Sequence, residues 1–188
     1  MDESPKQLIK ETRIPIQMKP GAERKEDYEY ERCGVCNIFM ANEPLKGKRY
    51  VKITEFKTKK DWAEFIKEIT DSYYSKAKKI TLVMDNYGTH TPGALYEVYS
   101  PKEAKRILDK FEFVFTPKHG SWLNMAEIEL NVLMGQCLSR RIDNMSEIKK
   151  EVNAWQKDRN NKDATINWQF TNNKARIKLK KLYPTILT

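Results

Sequence analysis

The chain has 188 residues, 39% of them hydrophobic and 32% charged, enough to bury a core without disulfide or metal staples. No apolar run approaches a membrane span, nothing resembles a signal peptide, and three cysteines are a poor disulfide framework, so an intracellular protein without a membrane partner is expected. The net charge of +9 is uneven, because twelve Lys and Arg stand against five Asp and Glu from Arg140 onward, and a basic terminal region suits a polyanion such as nucleic acid. A solvated amphipathic helix, with Ala175, Leu179 and Leu182 docking and Lys174, Lys178 and Lys181 facing water, accounts for the same charges.

In chain order, the first thirty residues are polar and broken by Pro5, Pro15 and Pro20-Gly21, which predicts irregular structure. Residues 33–42 and 47–56 predict two strands around a hairpin turn at Pro44-Leu45-Lys46-Gly47, the second alternating at Tyr50, Lys52 and Thr54. Cys33-Gly-Val-Cys36 has the spacing of zinc and redox sites. Only Cys137 and two histidines remain as further ligands and the segment reads as strand, so two packing cysteines are the better reading. From Thr58 to Tyr74 the pattern is helical, with Trp62, Phe65, Ile66 and Ile69 on one face. Residues 79–85 read as a strand buried on both faces. A loop, a helix near Pro101 to Lys110, a strand at Phe111 to Phe115 and a helix holding Glu127 follow. Further helices are expected near 146–159 and 172–182. With no repeat or linker, this order predicts a single α/β domain over 1–188, a mixed sheet with helices packed on it.

Two carboxylates draw chemistry to this frame. With Leu123 as the origin of a helix, Ala126, Leu130, Leu133, Met134, Cys137 and Leu138 form one stripe, with Glu127 inside it and Glu129 at its flank. A carboxylate facing a core is costly unless a cation or hydrogen-bond donor meets it. A metal ion would explain the placement; so would a head reaching solvent near the helix start, where the dipole favours negative charge. Asp85 ends the 79–85 strand and leads into Asn86-Tyr87-Gly88-Thr89-His90, and ligands of open α/β sheets bind at such strand ends. Asp and Asn are equally ordinary turn formers. If the two strands are neighbours, Asp85 and Glu127 meet, and two inward carboxylates suit Mg²⁺ or Mn²⁺. Asp2, an ordinary acidic terminus on composition, is the upstream candidate for a third.

Residues 2–10, Asp85-Asn-Tyr-Gly-Thr-His90, the run 117–129 with Ser121-Trp-Leu-Asn-Met-Ala-Glu-Ile-Glu129, and the ending Trp168-Gln-Phe-Thr with Ala175 to Pro184 resemble the catalytic half of insertion sequence 630 family transposases. These are relatives of the mariner elements, and the resemblance covers essentially the whole chain. It implies a ribonuclease-H-like fold, a mixed sheet flanked by helices. It also implies a DDE triad that cuts DNA at transposon ends and joins the freed 3′ hydroxyl to a target. Carried over, the triad is Asp2, Asp85 and Glu127, all three as ligands of Mg²⁺ or Mn²⁺, with Glu127 taken from Leu123-Asn124-Met125-Ala126-Glu127 and Glu129 as second choice. Asn86 would orient a ligand or phosphate. His119 would approach a phosphate near the helix N-terminus, with Ser121 as N-cap. His90 reads as a loop histidine tied into local hydrogen bonds, and Trp122 as core or as a base-stacking ring.

The implied partners are transposon ends and target DNA, met by Lys118, Arg140, Arg141 and Lys178. A homodimer and a bacterial or archaeal cytoplasm near the nucleoid belong to the same expectation. The family pattern has a helix-turn-helix region upstream and a first strand running into Asp2. A shortened first strand, with Asp2 on a frayed end, is therefore expected here. That leaves two alternatives to a competent transposase domain: an inactive fragment that only binds DNA, and a general nuclease on the same fold.

Overall fold

The structure, a computed structural model, describes residues 1–180 apart from Tyr87, Thr89, Lys118 and His119. At its centre strands β2 (Tyr30–Glu43) and β3 (Lys48–Thr54) form the expected hairpin, antiparallel from Asn37↔Thr54 to Glu43↔Lys48. The Glu43 carbonyl accepts from the amides of Lys46 (3.2 Å) and Gly47 (2.9 Å), closing the turn at the predicted residues. Gly47 has φ +65°, and a Cβ there would lie 2.3 Å from the Asp163 carbonyl carbon, where the chain returns over the turn.

The first thirty residues are not irregular throughout. Residues Asp2–Glu11 form strand β1, antiparallel to β2 from Asp2↔Met40 to Glu11↔Tyr30. Pro5 is tolerated because the Met1 nitrogen, donating to Val83, points away from β2. By two-residue alternation the Pro5 nitrogen does too, so no ladder bond is lost. The register slips between Leu8 and Ile9, opposite Gly34, whose φ of +114° allows the bulge. Between β1 and β2 the chain runs out in an arm with bridges Ile16↔Lys25 and Lys19↔Ala22.

Helix α1 (Lys59–Glu68) starts at Thr58, whose side chain and Asp61 form a capping box, and runs on as a π-helical turn at Ile69–Tyr73. Trp62, Phe65, Ile66 and Ile69 are buried as the pattern predicts. Strand β4 (Ile80–Met84) lies parallel to β5 (Phe111–Phe115). β4 is not covered on both faces: Leu82 and Met84 are buried, while Thr81 and Val83 are exposed. Between them lie α2 (Pro92–Val98) and α3 (Pro101–Leu108). α2 escapes a sequence reading because Pro92-Gly93 looks like a break, whereas proline suits the first helical turn.

Three further helices follow: α4 (Met125–Gln136), α5 (Met145–Asn161) and α6 (Asn172–Lys178). Ser121 does not cap α4. It opens a 3₁₀ turn, Ser121–Leu123, and Asn124 is the N-cap. α6 stops at Lys178, and Lys181 and Leu182 lie outside the described residues.

The ladders are β1-β2-β3 and β4-β5, joined where the Met1 nitrogen donates to the Val83 carbonyl at 2.7 Å. Alternation along β2 divides the core in two. Phe39 and Ala41 pack with α1, α2, α3, Leu82 and Met84. Cys36, Ile38 and Met40 pack with Leu130 and Leu133 of α4 and Ile148 and Val152 of α5. Among the described residues no helix is long and apolar enough to cross a membrane.

Gly47→Ala should cost about 1–3 kcal/mol, because it adds a strained φ to a backbone clash. Urea unfolding should show a lower midpoint at unchanged slope.

Candidate active site

Two strands and a helix converge at the start of β1. Asp2 pairs with Met40 and so stands on the α4 side of the sheet, whereas Glu3 pairs with Phe39 and stands on the α1 side. Asp2 is not frayed. Met1 before it is only 4% exposed, and an Asp2 carboxylate oxygen accepts from the Glu3 amide at 2.8 Å. Asp85 follows β4 directly and is half-buried. Burial pushes the Asp2 carboxyl up to about 6, and the negative charges of Asp85 and Glu3 push the same way, outweighing the Glu3 amide bond that pulls it down.

Glu127 sits in the first turn of α4 and is half-buried. Its helix is pinned to this end of the sheet by Asn124. The Asn124 amide nitrogen donates to the Met1 carbonyl at 2.8 Å, and its oxygen accepts from the Ala126 amide at 3.2 Å, capping α4. One residue therefore both starts the helix and ties it beside Asp2. Among the described residues no three His, Cys, Asp or Glu side chains stand close enough together to hold a metal ion. The convergence is that of the Asp2–Asp85 pair, with Glu127 on the docked helix. These donors are all carboxylate oxygens, the set that fits Mg²⁺ or Mn²⁺, and a cation there would favour the ionised Asp2 carboxylate, which burial chiefly, and the charges of Asp85 and Glu3 secondarily, disfavour.

The sequence reading missed the importance of His90 and Glu3. His90 is 2% exposed. Its Nε2 lies 2.8 Å from Glu3 Oε2, and its Nδ1 lies 2.9 Å from Asp85 Oδ1 and 3.2 Å from the Asp85 carbonyl. The Glu3 side chain is 3% exposed, with Lys57 Nζ 3.7 Å from its other oxygen. Burial lowers the proton affinity of His90, but Glu3 and Asp85 outweigh it and hold the imidazole above its ordinary value. The bonds of His90 are thus not only local, because one crosses to β1. The five-residue step from Asp85 to His90 was the available signal; Glu3 carried none.

Glu129, the second choice for the triad, is taken up elsewhere. It is 1% exposed, with Arg159 Nε donating to Oε1 at 2.8 Å and Arg159 Nη2 donating to Oε2 at 3.3 Å. Arg49 Nε is 2.9 Å from Oε1, close enough for strong attraction although its N–H is not aligned for a hydrogen bond. These two guanidinium groups explain its burial without a metal. The buried stripe of α4 is Ala126, Glu129, Leu130 and Leu133, so Glu129 is inside it and Glu127 at its flank, the reverse of the expectation. Leu123, Cys137 and Leu138 lie outside α4 and Met134 is only half-buried, so the stripe expected from them was centred away from the face that packs.

Asn86 is exposed next to Asp85, and Lys118 and His119 lie outside the described residues. Two of the cations expected to meet DNA are engaged within the chain. Arg140 pairs with Glu147 (3.1 Å) and Glu151 (3.0 Å). Arg141 donates to Glu11 (2.6 Å) and to the carbonyls of Glu29 and Asp27 (2.9 and 2.7 Å). Lys178 Nζ stands 4.4 Å over the Trp122 ring, which meets Phe170 edge-on at 4.9 Å, so Trp122 is half-buried under the C-terminal segment. Cys33 and Cys36 are free thiols on β2, the second packed in the core.

The family described as DDE superfamily endonuclease matches residues 1–149. No curated protein matches the chain. Among solved structures, the crystal structure of the Mos1 mariner paired end complex with Mn aligns with 84% of this chain and 47% of that one, at 16% identity and a TM-score of 0.52. The chain thus spans about half the length of that protein, and the likeness is one of fold: the ribonuclease-H-like mixed sheet flanked by helices. Neither match separates the insertion sequence 630 branch from other mariner relatives.

Glu129→Ala leaves Arg49 buried without its counter-ion and should cost about 3–5 kcal/mol in denaturant unfolding. Asp2 should show the opposite sign. Its folded pKa of about 6 exceeds the ordinary 3.8, so the stability it contributes is complete below 3.8 and lost as pH rises through about 6. In metal-free buffer Asp2→Asn should be more stable than the parent above pH 6, by roughly 1–2 kcal/mol after allowing for solvent screening, and equal to it near pH 4.

Proposed function

Because the chain belongs to the DDE superfamily endonucleases, we propose that it is the catalytic domain of a DNA transposase, cutting at transposon ends and transferring the freed strand into target DNA. Asp2, Asp85 and Glu127 hold Mg²⁺ or Mn²⁺ in this reading. Two bound cations would activate the attacking oxygen and stabilise the leaving one in an in-line displacement at phosphorus. The remaining work belongs to the chain. Met1 joins the start of β1 to β4, which carries Asp85 at its end, and to Asn124, which starts the helix bearing Glu127 in its first turn, so all three carboxylates lie on elements tied to one residue. The positive end of the α4 dipole faces the same region and favours a phosphate there. Asn86, exposed beside Asp85, is placed to touch substrate. DNA ends and target are the partners, and a homodimer the working assembly, inside a bacterial or archaeal cell.

The observation that supports this reading is the junction at Met1, whose nitrogen bonds to β4 just before Asp85 and whose carbonyl bonds to the cap of the helix bearing Glu127, in a chain of this family. The rival reading, a non-enzymatic DNA-binding protein, draws on the basic excess after Arg140. It predicts salt-sensitive binding without a metal requirement. A general nuclease would cut but not join.

The deciding experiment is cleavage and strand transfer on end-containing DNA with Mg²⁺ or Mn²⁺. Asp85→Ala and Glu127→Ala should each lower the cleavage rate by about a thousandfold or more while leaving DNA affinity largely unchanged. Variants that cut as fast as the parent would remove these residues from the mechanism.

A further inference from the structure

His90 sits behind the proposed metal ligands, between two strands that contribute acidic residues. A histidine packed in a core needs one partner for each nitrogen, and nearby carbonyls usually suffice. Here the partners are carboxylates from separate places in the fold. Glu3 comes from β1 on the α1 side of the sheet, and Asp85 comes from the end of β4. The imidazole and the Glu3 side chain are almost wholly enclosed, with the Trp62 ring 6.1 Å from the imidazole, while the Asp85 carboxylate is 31% exposed. A proton shared from Nδ1 between Asp85 Oδ1 and the Asp85 carbonyl restrains the carboxylate torsion and the backbone that leaves β4. On the far side Glu3, with Lys57 3.7 Å beyond it, restrains the ring.

We propose that His90 is a positioning residue for the metal centre: through Nδ1 it aims the Asp85 carboxylate, and through Nε2 it ties that carboxylate to Glu3 and hence to the strand bearing Asp2. The inference rests on the reading that Asp85 binds a divalent cation, and it adds a residue that would touch neither metal nor DNA. Asp2 and Glu3 are adjacent on β1 and point to opposite faces. The Glu3–His90–Asp85 chain therefore couples the two ligand-bearing strand ends around the edge of the sheet, where no backbone ladder bond is made between Asp2 and Asp85. Groups that orient metal ligands in this way typically contribute 10–100-fold in metal affinity.

The test uses the full chain and Mn²⁺ alone, with free Mn²⁺ followed by electron paramagnetic resonance, so DNA cleavage is not the readout. His90→Asn keeps a donor near the Nδ1 position but loses the tie to Glu3, and should bind Mn²⁺ only several-fold more weakly than the parent. His90→Gln keeps a donor only toward Glu3 and should bind about 10–100-fold more weakly. A histidine that merely fills space would not separate the two variants. Equal affinity in His90→Gln and the parent, or equal losses in both variants, would overturn the proposal. If His90→Gln does not fold, Glu3→Gln takes its place: it loosens the far anchor and should weaken Mn²⁺ several-fold, and unchanged affinity there would likewise overturn it. Failure of the underlying reading looks different, because then the parent does not bind Mn²⁺ or Asp85→Ala binds it as tightly as the parent.

Discussion

One backbone unit organises this protein. The nitrogen of Met1 donates to Val83 on β4, its carbonyl accepts from Asn124 at the start of α4, and its side chain enters the core beside Phe39 and Trp62. Two ladders and a helix meet on that single residue, and the bonds are made away from water, where each is worth more and is more costly to lose. Asp2 inherits its position from this junction. Without it β4 would be paired only to β5, and α4 would lose the contact that sets its first turn against the sheet.

Glu3 and Glu129 bury their carboxylates and are compensated differently. Glu129 meets two arginines, from β3 and from α5, and that cluster fastens the hairpin to the helices behind it. Arg49 also donates to the Ala164 carbonyl at 2.6 Å, so the segment after α5 is held by the same cation. Glu3 meets a histidine that is itself shared with a third carboxylate. The first arrangement is closed and fully explained by structure. The second leads outward to Asp85 and Asp2, where negative charge accumulates and the Asp2 carboxyl is left reluctant to ionise. That asymmetry distinguishes the end of the sheet that gathers negative charge from the side where every buried charge is neutralised.

Much of this was legible from residue patterns wherever a single physical rule dominated. The Pro44 to Gly47 turn, the Trp62–Phe65–Ile66–Ile69 face and the strand leading to Asp85 follow from turn chemistry, helical period and strand-end logic. The failures occurred where tertiary context overrode a local rule. β1 looked irregular because most of its residues are polar and it contains a proline, which falls on the side without a ladder bond. β4 looked buried on both faces because its residues are apolar, yet Val83 is open to solvent. Glu127 and Glu129 exchanged roles because the stripe was drawn through Leu123, Cys137 and Leu138, which lie beyond the two ends of α4. The Asp85-to-His90 step hinted at one bond of His90, but its tie to Glu3 was not legible, because that partner lies 87 residues away.

The arm between β1 and β2 has a separate consequence. It leaves Ile14, Met18 and Tyr28 exposed, and Arg141 ties its base down through Glu11, Asp27 and Glu29, with the Tyr30 ring 5.4 Å away. Arg24 and Lys25 lie beyond that latch, on the outgoing loop. A tryptic cut there would sever the chain without separating it, since β1 and β2 remain zipped along their full register and both keep their places in the core. The protein is in this sense built from two interlocked pieces, and the arm is a tether the assembled sheet can do without.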